Sequence, residues 1–419
     1  MSNYIWHPFT QMYLAPEPVF IESGEGALLK GRDGKTYIDA ISSWWTNIHG
    51  HAHPYIAEKI FDQAKTLEHV IFAGFMHAPA ETLASRLVEN YLPKHITKVF
   101  FSDNGSTAVE VGIKMAIQYW KNTGQPKKKI IAFENAYHGD TFGSMSVSDR
   151  GAFTAPFHDY LFDVEFIPLP SSDVNTLQLF KNIAENGDVA AFIYEPMILG
   201  AGGMLMYAPE ALDSLLEIAK AHHIICIADE VMTGFYRTGK LFAGDLCVQQ
   251  PDIICMSKGL TGGTMALGLT GAAQFIFDAF YAADKMKAFY HGHSFTANPL
   301  ACTAANASLD LVERSEFLPQ VNRIIQRHSE FAHQLSQYPA ALNIRQRGTI
   351  IAFDVDTGAE TQYFNSLRDR LYEYFMEHGV LLRPLGNTVY IMPPYCTTDA
   401  QLNTIYGVII SFLEQHPPQ

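Results

Sequence analysis

Ile224-Ile225-Cys226-Ile227-Ala228-Asp229-Glu230 is the stretch from which the rest of the chain is read. An unbroken apolar run suits a strand buried on both faces of a sheet. Two carboxylates follow it directly, so the strand delivers Asp229 at its carboxyl end. Asp252-Ile253-Ile254-Cys255-Met256-Ser257-Lys258-Gly259 repeats the pattern and delivers Lys258. Working outward, residues 99–102, 130–133, 164–168, 189–194 and 267–272 read as five more strands. Amphipathic segments separate many of them. One is residues 107–121, where Val109, Ile113, Ala116 and Trp120 recur at helical spacing. Another is residues 211–222. Such alternation predicts an α/β fold with a mostly parallel sheet covered on both faces. Ligands of such sheets sit beyond the carboxyl ends of the strands, which puts Asp229 and Lys258 at one crevice.

The last third changes character. A helix over 318–337 precedes strands near 349–355, a helix over 363–378, two short strands and a final helix over 400–415. The chain therefore divides into a large domain over 51–305 and a smaller α/β domain over 306–419. Residues 1–50, rich in turns and aromatics, form a segment that packs with the small domain.

Composition narrows the function. The 419 residues are 48% hydrophobic and 17% charged, enough apolar matter for a large core. Disorder is excluded, and no stretch is long and apolar enough to span a membrane. With 29 basic and 43 acidic residues the net charge is −14, unsuited to nucleic acid, which needs clustered Lys and Arg. The five cysteines form no CxxC, and no export signal is visible at the start, so reduced thiols and a cytoplasmic location are expected. His49, His51 and His53 alternate, as do His291 and His293. With no HExxH and no cysteine at zinc spacing, they read as loop histidines and no metal is expected. No GxSxG elbow is present for a serine hydrolase.

An acid and a lysine on neighbouring strand ends point to pyridoxal phosphate chemistry. The lysine amine would form the Schiff base with the aldehyde, and the carboxylate would pair with the pyridine nitrogen. Either residue alone would read as half of a rim ion pair. Ser102-Asp103-Asn104-Gly105-Ser106-Thr107 joins a strand to a helix; its small residues would admit a phosphate to the helix N-terminus, or simply make a capped turn. Tyr137-His138-Gly139-Asp140 offers an aromatic to stack on a flat ring, or a loop anchor. Arg237, in Gly234-Phe235-Tyr236-Arg237-Thr238-Gly239, would be a fork for a substrate carboxylate or part of a surface ion pair. Glu195-Pro196 ends another strand and would line the site or cap it.

These blocks, with Asp229-Glu230-Val231, Thr233-Gly234-Phe235 and Ser257-Lys258-Gly259, resemble the class III aminotransferases of the fold-type I pyridoxal phosphate enzymes. The resemblance covers nearly the whole chain and implies a seven-stranded, mostly parallel sheet plus a smaller α/β domain. Trp6-His7-Pro8-Phe9-Thr10, Ser42-Ser43-Trp44-Trp45 with His49-Gly50, and Arg383-Pro384-Leu385-Gly386 resemble the branch that aminates 8-amino-7-oxononanoate in biotin synthesis. By resemblance Lys258 is the Schiff-base lysine, Asp229 the pyridinium partner and Tyr137 the stacking aromatic. Gly105 and Ser106 hold the phosphate. Gly292 binds substrate, and Ser294 reaches the phosphate of the partner's cofactor in a homodimer that shares its active sites. Phe9 and Trp44 wall the substrate pocket, Arg383 binds the oxononanoate carboxylate, and Asp140 and Arg237 shape the pocket. The chain departs from the adenosylmethionine-using members at Phe9, where they carry Tyr, and at Gly292-His293-Ser294, where they carry Gly-Pro-Thr. Trp44-Trp45 favours S-adenosyl-L-methionine as donor, with L-lysine as the alternative. Other class III ω-aminotransferases remain rivals.

Overall fold

The computed structural model describes residues 4–170, 175–356 and 367–416. Three antiparallel strands come first: β1 (Ile21–Glu25), β2 (Leu28–Gly31) and β3 (Thr36–Asp39). The main sheet starts with β4 (Ile96–Ser102), β5 (Lys129–Phe133), β6 (Glu165–Ile167) and β7 (Val189–Tyr194). After the small hairpin of β8 (Ile198–Leu199) and β9 (Leu205–Met206) it is completed by β10 (Ile225–Asp229), β11 (Ile253–Met256) and β12 (Gly268–Ala273). Its seven strands are ordered β4-β12-β11-β10-β7-β5-β6. All neighbours pair in parallel except those of β12, which runs antiparallel to β4 and β11.

Every residue of β7, β10, β11 and β12 is buried, as expected of strands covered on both faces. The pleat sends alternate side chains into two layers. Ile225 and Ile227 pack with Val109, Ile113, Ala116 and Trp120 of the helix Gly105–Asn122. Cys226 and Ala228 face the other layer, where Leu212, Leu215, Leu216 and Ala219 of the helix Pro209–Ala221 are buried. Burying each such aliphatic side chain stabilises the fold by roughly 1.5–3 kcal/mol. Trp120 keeps its polar atom satisfied, donating from Nε1 to the Ala190 carbonyl at 2.8 Å.

Beyond the helix Pro299–Val312 lie the helix Phe317–Leu335, β13 (Ala341–Arg347), β14 (Ile350–Val355), β15 (Val380–Leu381), β16 (Thr388–Ile391) and the helix Asp399–Gln415. The helix read from the sequence over 363–378 is described as Leu367–Glu377; residues 363–366 lie outside the described residues. β13, β14 and β16 form an antiparallel sheet. β15 pairs with β3 instead, so strands from near the two ends of the chain share one sheet, β1-β2-β3-β15. Among the described residues no helix is long and apolar enough to cross a membrane. All five cysteines are free.

The sheet positions the site by register. Asp229 stands opposite Cys255, and the Glu230 amide donates to the Cys255 carbonyl at 2.9 Å. The carboxyl ends of β10 and β11 therefore lie side by side.

Candidate active site

A cavity of about 940 Å³ opens beyond those strand ends. Lys258 lies on its wall, two residues past β11, with φ at +44°. Its Nζ stands 4.7 Å from the centre of the Trp45 ring. Burial disfavours the ammonium and lowers its pKa to about 8, against the pull of Asp229 and Glu195. A lysine so placed is easily neutral, the state that can attack a carbonyl or accept a proton.

Asp229 is nearly fully buried and also lines the cavity. Its Oδ1 accepts from the Val231 amide at 3.1 Å, and its Oδ2 meets His138 Nδ1 at 2.7 Å. His138 is buried, its amide donates to Ser148 Oγ at 2.9 Å, and its Nε2 has no partner. Tyr137, next to it, donates from its amide to Glu195 Oε1 at 3.0 Å and from its hydroxyl to Asp140 Oδ2 at 2.8 Å. Burial and the neighbouring Asp140 carboxylate raise the phenol well above its ordinary pKa, so it stays protonated. Glu195 also accepts from the Gly200 amide at 2.9 Å; burial pushes its pKa up to about 7.

The third wall is the N-terminus of the helix Gly105–Asn122. Asn104 caps it, its side chain accepting from the Thr107 amide at 3.0 Å while Thr107 Oγ1 answers the Asn104 amide. Asn104 thus uses the third amide and leaves the first two, of Gly105 and Ser106, for a ligand. Ser106 Oγ accepts from the Asp140 amide at 3.2 Å. Gly139 makes this approach possible: its φ is +130°, and a Cβ there would fall 2.0 Å from Ser106 Oγ. At the rim the Phe9 ring lies 5.5 Å from Trp44 and 5.8 Å from Phe153. The Arg383 guanidinium sits 4.9 Å above Trp44.

Pyridoxal phosphate, expected from the sequence, suits these parts. An anion finds a helix N-terminus, an aldehyde a neutral lysine, a protonated ring nitrogen a buried carboxylate, and a flat ring Tyr137. Among the described residues no group of three or more His, Cys, Asp or Glu is arranged to hold a metal. The alternating histidines go to separate partners: His49 Nε2 to Ser308 Oγ at 3.0 Å and His51 Nε2 to Asp39 at 2.8 Å.

The cavity brings together Phe9, Trp44, Gly105, Ser106, Tyr137, Asp140, Asp229, Lys258 and Arg383. It does not bring Arg237, Gly292 or Ser294 to its wall. Gly292 and Ser294 are exposed on another segment. Arg237, expected as a carboxylate fork, is buried behind Trp45 instead. Its Nη1 donates to the Pro393 carbonyl at 2.8 Å and its Nη2 to the Trp45 carbonyl at 3.5 Å. Sequence reasoning gave His138 no role, although it lies inside a quoted block; its pairing with Asp229 spans 91 positions and leaves no local signal.

The model of the class III aminotransferase family matches residues 12–413. An adenosylmethionine-8-amino-7-oxononanoate aminotransferase of Synechococcus elongatus is 48% identical, over 98% of this chain and 99% of that protein. Among solved structures, the adenosylmethionine-8-amino-7-oxononanoate aminotransferase of Methanocaldococcus jannaschii superposes with a TM-score of 0.93 at 33% identity, covering 98% of this chain and 97% of the other. An amine transaminase from an uncultivated Pseudomonas species, in its pyridoxal-phosphate-bound form, gives 0.92 at 28% identity, covering 99% of both chains. With the family model matching residues 12–413, the chain belongs to the class III aminotransferases, enzymes that work with pyridoxal phosphate.

Proposed function

We propose that the protein moves the amino group of S-adenosyl-L-methionine onto 8-amino-7-oxononanoate, giving 7,8-diaminononanoate for biotin synthesis. One observation carries the reading. A lysine and a buried carboxylate meet at the strand ends of a cavity whose rim is aromatic and holds a cation, Arg383. Such a cavity suits a long apolar substrate that ends in a carboxylate. The identity of 48% with a relative named for this reaction supports it.

Pyridoxal phosphate, when bound, supplies the aldehyde that takes the amino group and the ring that accepts the electron pair freed at the amine carbon. The residues do the rest. Lys258 would hold the cofactor through its amine and, with its pKa lowered to about 8, would serve as the base and acid that moves the proton of the reacting carbon. Asp229 would pair with a protonated ring nitrogen, and His138 fixes that carboxylate at 2.7 Å. Tyr137, held by Glu195 and Asp140, would stack on the ring. The amides of Gly105 and Ser106 bind the phosphate. Phe9 and Trp44 exclude water along the substrate chain, Arg383 takes its carboxylate, and Arg237 supports the wall from behind through the Trp45 carbonyl. One cavity serves donor and acceptor in turn, so the kinetics are ping-pong.

Two copies complete the enzyme in this reading. Gly292 and Ser294 lie on an exposed segment that would reach the partner subunit's phosphate site. Phe9 offers the donor no hydroxyl, which keeps L-lysine as the second donor. The test is product detection by mass spectrometry. Holoenzyme with 8-amino-7-oxononanoate should yield 7,8-diaminononanoate when S-adenosyl-L-methionine is supplied. Product with L-lysine alone reassigns the donor; product with neither refutes the reading.

A further inference from the structure

The turn Ser42–Trp45 carries both tryptophans of the cavity wall, and its backbone is unfavourable by itself. Ser42, Ser43 and Trp45 have φ of +52°, +58° and +67°, a region in which a Cβ is crowded. Three such residues in four persist only where the surroundings hold them. Asp39, fully buried at the end of β3, supplies much of that hold. Its Oδ1 accepts from the Ile41 amide at 3.1 Å. Its Oδ2 accepts from the Ser43 amide at 2.7 Å and from Ser43 Oγ at 3.2 Å. The same oxygen meets His51 Nε2 at 2.8 Å, and His51 is itself tied to the Gly26 carbonyl through its amide at 2.7 Å. On the far side Ser42 Oγ donates to the Met392 carbonyl and Trp45 Nε1 to the Tyr390 hydroxyl, both at 2.9 Å. The turn so fixed delivers Trp45 beside Lys258 and Trp44 beneath Arg383.

We propose that Asp39 and His51 are positioning residues for substrate: Asp39 locks the turn and His51 locks Asp39, and together they set where the tryptophan wall stands. Neither residue lines the cavity. The inference rests on the reading of that cavity as the substrate site. It gives a purpose to one of the three alternating histidines.

The test compares Asp39→Asn, His51→Ala and His51→Gln, each alone and with Trp44→Ala. Asparagine keeps one accepting oxygen and sets an amide group where either the Ser43 or the Ile41 amide needs an acceptor. In Asp39→Asn and His51→Ala the KM for 8-amino-7-oxononanoate should rise about tenfold while kcat stays within about twofold. Cofactor content and its absorbance spectrum should not change. His51→Gln, which restores a donor, should recover most of the loss. In the Trp44→Ala background the same substitutions should add less, because one of the two rings they position is already gone. Losses that multiply in full with Trp44→Ala, or an unchanged KM in a folded His51→Ala, overturn the proposal. If Asp39→Asn fails to fold, the His51 series decides alone. A wild-type enzyme inactive on 8-amino-7-oxononanoate would sink the substrate reading separately. The cycle is then run with the amine and keto pair that the wild type does accept, and the same outcomes decide it.

Discussion

Lys258 is the residue on which the proposed chemistry turns. Replacing it by alanine should leave cofactor bound without a covalent tie and cut turnover by a factor of about 10⁴ or more. Borohydride reduction followed by denaturing mass spectrometry should add the cofactor mass to the wild type and not to Lys258→Ala; near-normal turnover would remove Lys258 from its role. The amine also marks the stability of the cofactor-free protein. Its pKa falls from 10.5 in the unfolded chain to about 8 in the fold. Between those values the unfolded state holds more protons, so this group's contribution to stability rises with pH across that window. Denaturant titrations of the apo-protein at pH 8 and pH 10 should show the rise, and Lys258→Met should show less of it. Asp229 and Lys258 were legible in the sequence because each ends an apolar run, and such runs stop where the sheet meets solvent or ligand. Arg237 was not. A sequence cannot tell an arginine that faces a substrate from one buried with its fork turned to the carbonyls of Pro393 and Trp45. His138 was hidden for a related reason, since its carboxylate partner is distant in the chain.

At the scale of elements, the buried strands and their mostly parallel pairing were legible, and the reversed direction of one strand was not. Residues 267–272 read as a strand from the same apolar run that marks β11, yet β12 runs against its neighbours. An apolar run carries no arrow; the connection decides it, and residues 257–267 between β11 and β12 hold no crossover helix of the length that joins parallel strands. The turn Ser42–Trp45 escaped because its conformation is imposed by Asp39 rather than by local propensity. A second imposed contact ties two helices. His328 of Phe317–Leu335 is fully buried, and its Nδ1 meets the Tyr406 hydroxyl of Asp399–Gln415 at 2.7 Å. Burial lowers its pKa from 6.5 to about 3. The unfolded chain therefore takes up a proton between pH 6.5 and pH 3 that the fold refuses, and stability is lost as pH falls through that window. The full loss is on the order of 5 kcal/mol for this residue. His328→Phe should flatten the acid limb in chemical denaturation measured from pH 7 to pH 4. An unchanged acid limb would show that His328 does not refuse the proton.

The whole molecule presents an apolar surface that a single chain leaves to water. Ile71, Phe75 and Met76 are exposed, as are Tyr290 and Phe295 on either side of Gly292 and Ser294. Exposed apolar residues of this size are usual where copies meet. Sedimentation should give twice the monomer mass, and Phe75→Asp combined with Phe295→Asp should shift it toward the monomer with loss of turnover. A fully active monomer would contradict the shared site. The proposed reaction has two halves, and each can be watched separately. Purified holoenzyme receives S-adenosyl-L-methionine alone, then 8-amino-7-oxononanoate, while the visible absorbance of the bound cofactor is followed; L-lysine replaces the donor in a second cell. The band should be lost with S-adenosyl-L-methionine and return with the oxononanoate, as the proposed reaction requires. A band that neither donor bleaches, or that the oxononanoate does not restore, would contradict it.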